Sequence, residues 1–190
     1  MTEAQADIAG HGGPAEQQQI AAAAQLYGPL KRSAGFAALS GGTMLFFGLI
    51  TLLSLAFGFD PVSLVLGAAL CVCGSIERGA AARIRAGDPA AFTRLGWNQW
   101  AVFVVIAGYA LVQLYVIGGA AAYAELSAVD PNMGALAAQM SDTMYTAVIL
   151  LSFLFQGLMA RMYFRRRALA ERYRDEVPEW IRRVVQGLAV

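Results

Sequence analysis

The sequence predicts an all-α protein: a four-helix transmembrane bundle with a C-terminal cytoplasmic amphipathic helix. Three observations lead there. The chain is 58% hydrophobic and 14% charged, against about 25% charged in an ordinary soluble domain, and its mean hydropathy is +0.53. Four apolar stretches are each long enough for the roughly 20 residues of helix that cross a hydrocarbon core. All 14 lysines and arginines fall on one side of those stretches.

In order, residues 1–33 are polar, rich in Ala and Gln, and read as a mobile N-terminal cytoplasmic tail. A short helix over residues 17–26 is expected to stop at Gly28-Pro29. The polar lead is too long, and the apolar run after it too long, for a cleavable signal peptide. Residues 34–164 make the transmembrane domain, with spans at about 35–59, 62–82, 95–123 and 142–164. Asp60-Pro61 closes the first hairpin, with Asp60 as N-cap and Pro61 at the first helical position. Residues 62–76 are uncharged but rise only about 22 Å. Glu77 and Arg78 are therefore expected at, or just inside, the inner headgroup boundary. Ala86-Gly87 stops that helix, and Asp88-Pro89 starts the next. Trp97 and Trp100 mark an interface belt. The external connector, 124–141, contains Asp130-Pro131 and is expected to hold a short surface helix over 131–140. Residues 165–190 form a basic cytoplasmic helical tail. Within it Trp180, Ile181, Val184, Val185 and Leu188 share a helical face, to lie on lipid or to pack under the bundle.

Orientation follows from lysine and arginine alone. Lys31 and Arg32 precede the first span; Arg78, Arg83, Arg85 and Arg94 lie between the second and third. Arg161, Arg165, Arg166, Arg167, Arg172, Arg174, Arg182 and Arg183 end or follow the fourth. The opposite connectors carry only acids: Asp60, Glu125, Asp130 and Asp142. Both termini are predicted to be cytoplasmic.

Polar side chains at membrane depth are costly and mark candidate sites. Glu77, Arg78, Asn98, Gln99, Gln156 and Arg161 form the candidate inner-leaflet polar cluster. A functional role there is an ion, proton or headgroup site lined by Glu77. The structural role, in which Glu77 pairs with an arginine and the amides bond across helices, is favoured because such contacts are ordinary membrane glue. Arg83, Arg85, Arg94, Arg165, Arg166 and Arg167 are assigned to lipid headgroups or to topology. Small residues at Gly67, Cys71, Gly74 and Ser75, and at Gly118 and Ala122, mark possible helix contacts. Cys71 and Cys73 face different directions as i, i+2 neighbours, and His11 has no companion ligand, so no metal and no cofactor is expected. No phosphate loop, nucleophile elbow or zinc motif occurs, and the chain is not expected to be an enzyme. Acids at Glu171, Asp175, Glu176 and Glu179 offset the basic tail, so no nucleic acid is expected as partner. The expected partners are the lipid bilayer and either a second copy or another membrane protein.

The connector reads Glu77-Arg78-Gly79, Arg83-x-Arg85-x-Gly87-Asp88-Pro89, then Asn98-Gln99. It resembles a pattern in small, uncharacterised multi-span bacterial integral membrane proteins, and implies only a shared structural hairpin; the expected location is the bacterial inner membrane. The expected function is a non-enzymatic structural or partner-binding membrane protein. The alternative is a small oligomeric channel or transporter component built around Glu77.

Overall fold

The computed structural model describes residues 13–117 and 123–187, and these are helical with no strand among them. The helices are α1 (Pro14–Ser54), α2 (Pro61–Arg85), α3 (Pro89–Val112, continued by a π-turn over Gln113–Ile117), α4 (Ala124–Val129), α5 (Pro131–Glu176) and α6 (Glu179–Gly187). α1, α2, α3 with its π-turn, and α5 are long and apolar enough to cross a membrane.

Three of the starts share one device. Asp60, Asp88 and Asp130 each precede a proline, and each carboxylate accepts a backbone N–H two residues on, from Val62 at 3.0 Å, Ala90 at 2.9 Å and Asn132 at 2.8 Å. The proline loses nothing, because the first helical N–H has no intrahelical partner anyway. The Ser63 hydroxyl, helped by the Val62 and Ser63 amides, holds the Asp60 carboxyl below the usual carboxylate range. α2 stops as expected at Gly87, whose φ of 80° is the left-handed conformation that glycine adopts without steric cost. Gly87 N–H bonds to Ile84 O at 2.9 Å and Asp88 N–H to Arg83 O at 3.0 Å, the double closure of a Schellman turn.

Two expected breaks are absent. α1 runs through Gly28-Pro29, so the N-terminal segment from Pro14 is helix rather than mobile tail. Pro29 removes a helix hydrogen bond, at a cost of about 3 kcal/mol. Against that, Ala23, Tyr27, Leu30, Ala34 and Ala37 recur at spacings of three and four and are all buried, so tertiary packing outweighs the local stop. α5 likewise continues from Pro131 through Ser141 to Glu176 without interruption. No proline or helix stop falls between, and the expected surface helix is simply its first turns. α1 also ends at Ser54, short of the expected 59, and α4 occupies connector residues for which no helix was expected. Residues 1–12, 118–122 and 188–190 are outside the described residues, and with them His11, the Gly118–Ala122 step and Leu188.

The described residues make two compact units. Unit one comprises the residues up to Thr43, Gly74–Gly96 and those from Arg161. Its interior is Leu30, Ala34, Ile84, Phe92, Leu95, Tyr163, Ala170 and Tyr173, each fully or almost fully buried. α6 closes on this unit with Ile181, Val184 and Val185 buried, so its apolar face packs on protein. Unit two comprises Met44–Cys73 and Trp97–Ala160. Among the described residues, every exposed large apolar side chain except Phe36, Leu39 and Phe164 belongs to unit two. Every lysine and arginine belongs to unit one.

Within unit two, α1 and α2 touch backbone to backbone. A Cβ on Gly48 would stand 2.9 Å from Gly67 O and 3.0 Å from Cys71 N. The small residues Gly67 and Cys71, marked from sequence, thus face Gly48. Around Gly108 of α3 there is open space. Gly48→Ala should therefore destabilise the protein by about 1–3 kcal/mol through overpacking. Gly108→Ala should be neutral or stabilise by up to about 1 kcal/mol through helix propensity. Melting of both variants in detergent checks this, and shifts of the same sign would contradict the packing described.

Candidate functional site

In unit one a buried polar layer is built on Glu77. The residue sits on α2 and is fully buried. The reason is Gly41 on α1: a Cβ there would lie 2.7 Å from Gly74 O, 2.9 Å from Glu77 Cβ and 3.0 Å from Arg78 Cγ. Without a side chain at 41, the α1 backbone lies directly over the stem of Glu77. Tyr163 of α5 is also fully buried, and its hydroxyl lies within electrostatic reach of both Glu77 and Arg166. Arg166, the half-buried arginine of α5, donates to the Ser33 hydroxyl and reaches Pro29 O at 3.5 Å. The Ser33 hydroxyl donates to the same carbonyl at 3.0 Å. Arg166 and Ser33 therefore join α5 to α1, with Glu77 of α2 and the Tyr163 phenol buried beside them; the Tyr163 hydroxyl itself has no hydrogen-bond partner among the described residues. Buried charge is tolerated only where opposite charge and hydrogen bonds replace water, and for Arg166 the Ser33 hydroxyl and the Pro29 carbonyl supply the hydrogen bonds.

A second polar contact set lies at the far end of unit one. Tyr27 donates to Arg85 O at 3.1 Å, and its ring stands 5.4 Å from that of Tyr173. Tyr173 in turn borders Gly87, where a Cβ would be 3.6 Å from its ring. Burial raises both phenols: Tyr173 is pushed up to about 12 by burial and by the neighbouring Tyr27, and Tyr27 is raised by burial although Arg85 opposes it. A groove of about 310 Å³ runs between the start of α1, at Gln19, Ala23 and Leu26, and the α5–α6 corner at Val177 and Ile181.

Unit two holds its own amides. Asn98 Nδ2 donates to Cys73 O at 3.1 Å, a buried bond from α3 to α2. Gln99 and Gln156 are buried as well. Gln156 Oε1 has no hydrogen-bond partner among the described residues. Nearby, Trp100, Phe103 and Phe153 form an aromatic trio with ring centroids 5.5 to 6.1 Å apart.

Of the candidate cluster, Glu77, Arg78 and Arg161 thus belong to unit one, and Asn98, Gln99 and Gln156 to unit two. Arg78 and Arg161 are exposed, as are Arg83, Arg85, Arg94 and Arg165. Two arginines assigned to headgroups or topology have protein partners. Arg166 turns inward to Ser33, and Arg167 pairs with Glu171 at 2.8 Å and reaches Thr93 Oγ1 at 3.4 Å. Sequence reasoning missed Ser33, Tyr163, Tyr27 and Tyr173. The signal was available in the three-and-four spacing of Tyr27, Leu30 and Ala34, and of Tyr163, Ala170, Tyr173 and Val177, which continues past the apolar runs.

Comparison of the chain with protein-family models, with curated proteins and with solved structures finds no match.

The raised phenols set an alkaline limit. An unfolded tyrosine ionises near pH 10, whereas Tyr173 holds its proton to about 12. The folded state binds the proton more tightly, so this stability is complete below about pH 10 and is lost as pH rises through about 12. Tyr173→Phe keeps the ring and removes the proton. Melting temperature followed from pH 9 to 12 should fall more steeply in the wild type than in this variant, and parallel curves would contradict the assignment.

Proposed function

We propose that the chain is a multi-pass bacterial inner-membrane protein with a four-helix bundle in the bilayer and both termini in the cytoplasm. Its role is structural or partner-binding rather than enzymatic. One observation carries this: unit two has no lysine or arginine and almost all of the exposed large apolar surface, while unit one has every basic residue. Exposed apolar surface on this scale is rare on soluble monomers and marks membrane or partner contact. Helices satisfy their own backbone hydrogen bonds, as lipid requires. Basic residues confined to one unit orient it toward the cytoplasm.

The scaffold role is supported by what the buried polar groups contact. Arg166 contacts Ser33 and Pro29 O, Asn98 contacts Cys73 O, and Tyr27 contacts Arg85 O. Each of these bonds joins one helix to another. Glu77, covered by α1 and inaccessible to water, fits that pattern better than it fits a transport site, which must open to one side. The partner is then a second copy or another membrane protein, held through surfaces that the buried layer keeps rigid.

Glu77→Gln separates the two roles. A structural carboxylate replaced by its amide should lower the melting temperature, by an amount equivalent to about 1–3 kcal/mol for a disturbed buried polar group. Complementation of a deletion strain should then persist in proportion to the folded protein present. Normal melting with complete loss of complementation would overturn the scaffold role in favour of a channel or transporter.

A further inference from the structure

We infer that unit one carries a binding site for an anionic phospholipid headgroup, formed by Arg94 of α3 with Arg161 and Arg165 of α5. The inference rests on the membrane location proposed above and adds a ligand class to it.

Two contacts fix the register of α3 against α5. The Phe164 ring fills the space over Gly96, where a Cβ would stand 2.6 Å from it, and Arg167 Nη1 reaches Thr93 Oγ1 at 3.4 Å. Arg94 follows Thr93, and Arg165 follows Phe164. Arg161 lies three residues to the other side of Phe164. At 1.5 Å of rise per residue, all three stand within about one helical turn of the Gly96–Phe164 contact. Their side chains are exposed, and none has an ion pair or hydrogen bond among the described residues.

The arginines further along α5 differ. Arg167 pairs with Glu171, Arg172 with Glu176 and Arg174 with Asp175, at 2.8 to 3.1 Å. The chain's own carboxylates therefore pair with the arginines toward the end of α5, whereas Arg94, Arg161 and Arg165 have no carboxylate within ion-pair distance among the described residues. Three exposed guanidiniums without an ion pair at one level offer an anion a common site. A phosphodiester fits, because arginine offers it paired, planar N–H donors. The lipid form of that anion is favoured by the helix itself. Along α5 the exposed face reads Leu154, Leu158, Arg161, Arg165 at spacings of four and three, so apolar surface gives way to guanidinium within one turn, as acyl chain gives way to headgroup.

The test uses the full-length protein in a neutral maltoside detergent. It is titrated with dioleoylphosphatidylglycerol, with dioleoylphosphatidylcholine and with inorganic phosphate, while melting temperature and lipid retained in native mass spectrometry are read. The phosphatidylglycerol should raise the melting temperature and be retained, and the other two should not. Arg94→Gln and Arg161→Gln should each weaken half-saturation about fivefold, the share of one arginine near an anionic surface. Arg174→Gln, away from this level, should leave it unchanged. An equal response to both lipids, or an unchanged response in both site variants, overturns the site. An equal response to inorganic phosphate overturns a lipid as its ligand. Release of the protein from bacterial membranes by alkaline carbonate would instead overturn the membrane location itself, whereas retention without lipid preference removes this inference alone.

Discussion

Surface that cannot face water governs the organisation of this chain. From Met44 to Cys73 and from Trp97 to Ala160 there is no cationic side chain. Leucines, valines and phenylalanines stand exposed along α1, α2, α3 and α5. Burying apolar area is the largest favourable term open to a folded chain, and unit two leaves much of its own unburied. In the proposed arrangement the remaining cover comes from a bilayer, which supplies it without requiring a specific partner surface. Once that is granted, the placement of charge follows. In that arrangement desolvation keeps arginines out of the apolar segments, and every one of them lies in unit one.

Unit one behaves as an ordinary helical core. Tyr163, Tyr173, Phe92, Leu30 and Ile84 fill it, and α6 closes one side through Ile181, Val184 and Val185. Its polar content is concentrated where helices meet. Gly41 admits Glu77, while Arg166 and Ser33 share the Pro29 carbonyl. Polar groups buried this way specify which faces pair, since any slip strands a charge or a donor. In a protein whose other half is nearly featureless Leu, Val and Phe surface, such specificity has to be supplied by unit one and by close glycine contacts such as Gly48 against Gly67.

Local chemistry was legible in the sequence. Three Asp-Pro pairs start helices because the cap and the proline act within one turn, and Gly87 ends α2 because its conformation is set by its neighbours. The four apolar helices were legible because hydrocarbon length imposes a coarse, long signal. What escaped was decided at a distance. Pro29 reads as a stop, yet the stripe from Ala23 to Ala37 packs on helices 50 and more positions away in sequence and carries α1 through it. Arg166 sits in a run of three arginines that looks uniform, and only the position of Ser33 across the core singles it out. The candidate amides Asn98, Gln99 and Gln156 are buried, but Asn98 bonding to the Cys73 carbonyl depends on the α2–α3 register, which no local pattern encodes.

The proposed topology, with the apolar helices in lipid and the basic segments on the cytoplasmic face, is tested most directly by labelling single cysteines with a membrane-impermeant maleimide. Cys71 and Cys73 are first replaced by alanine, and cysteines are placed at Phe59, Met133, Leu151 and Arg85. In intact, right-side-out vesicles, positions 59 and 133 should label. Position 85 should label only after the vesicles are opened or inverted, and position 151 only after detergent denatures the protein. Labelling of position 85 from outside, or of position 151 in any sealed vesicle, would contradict the account.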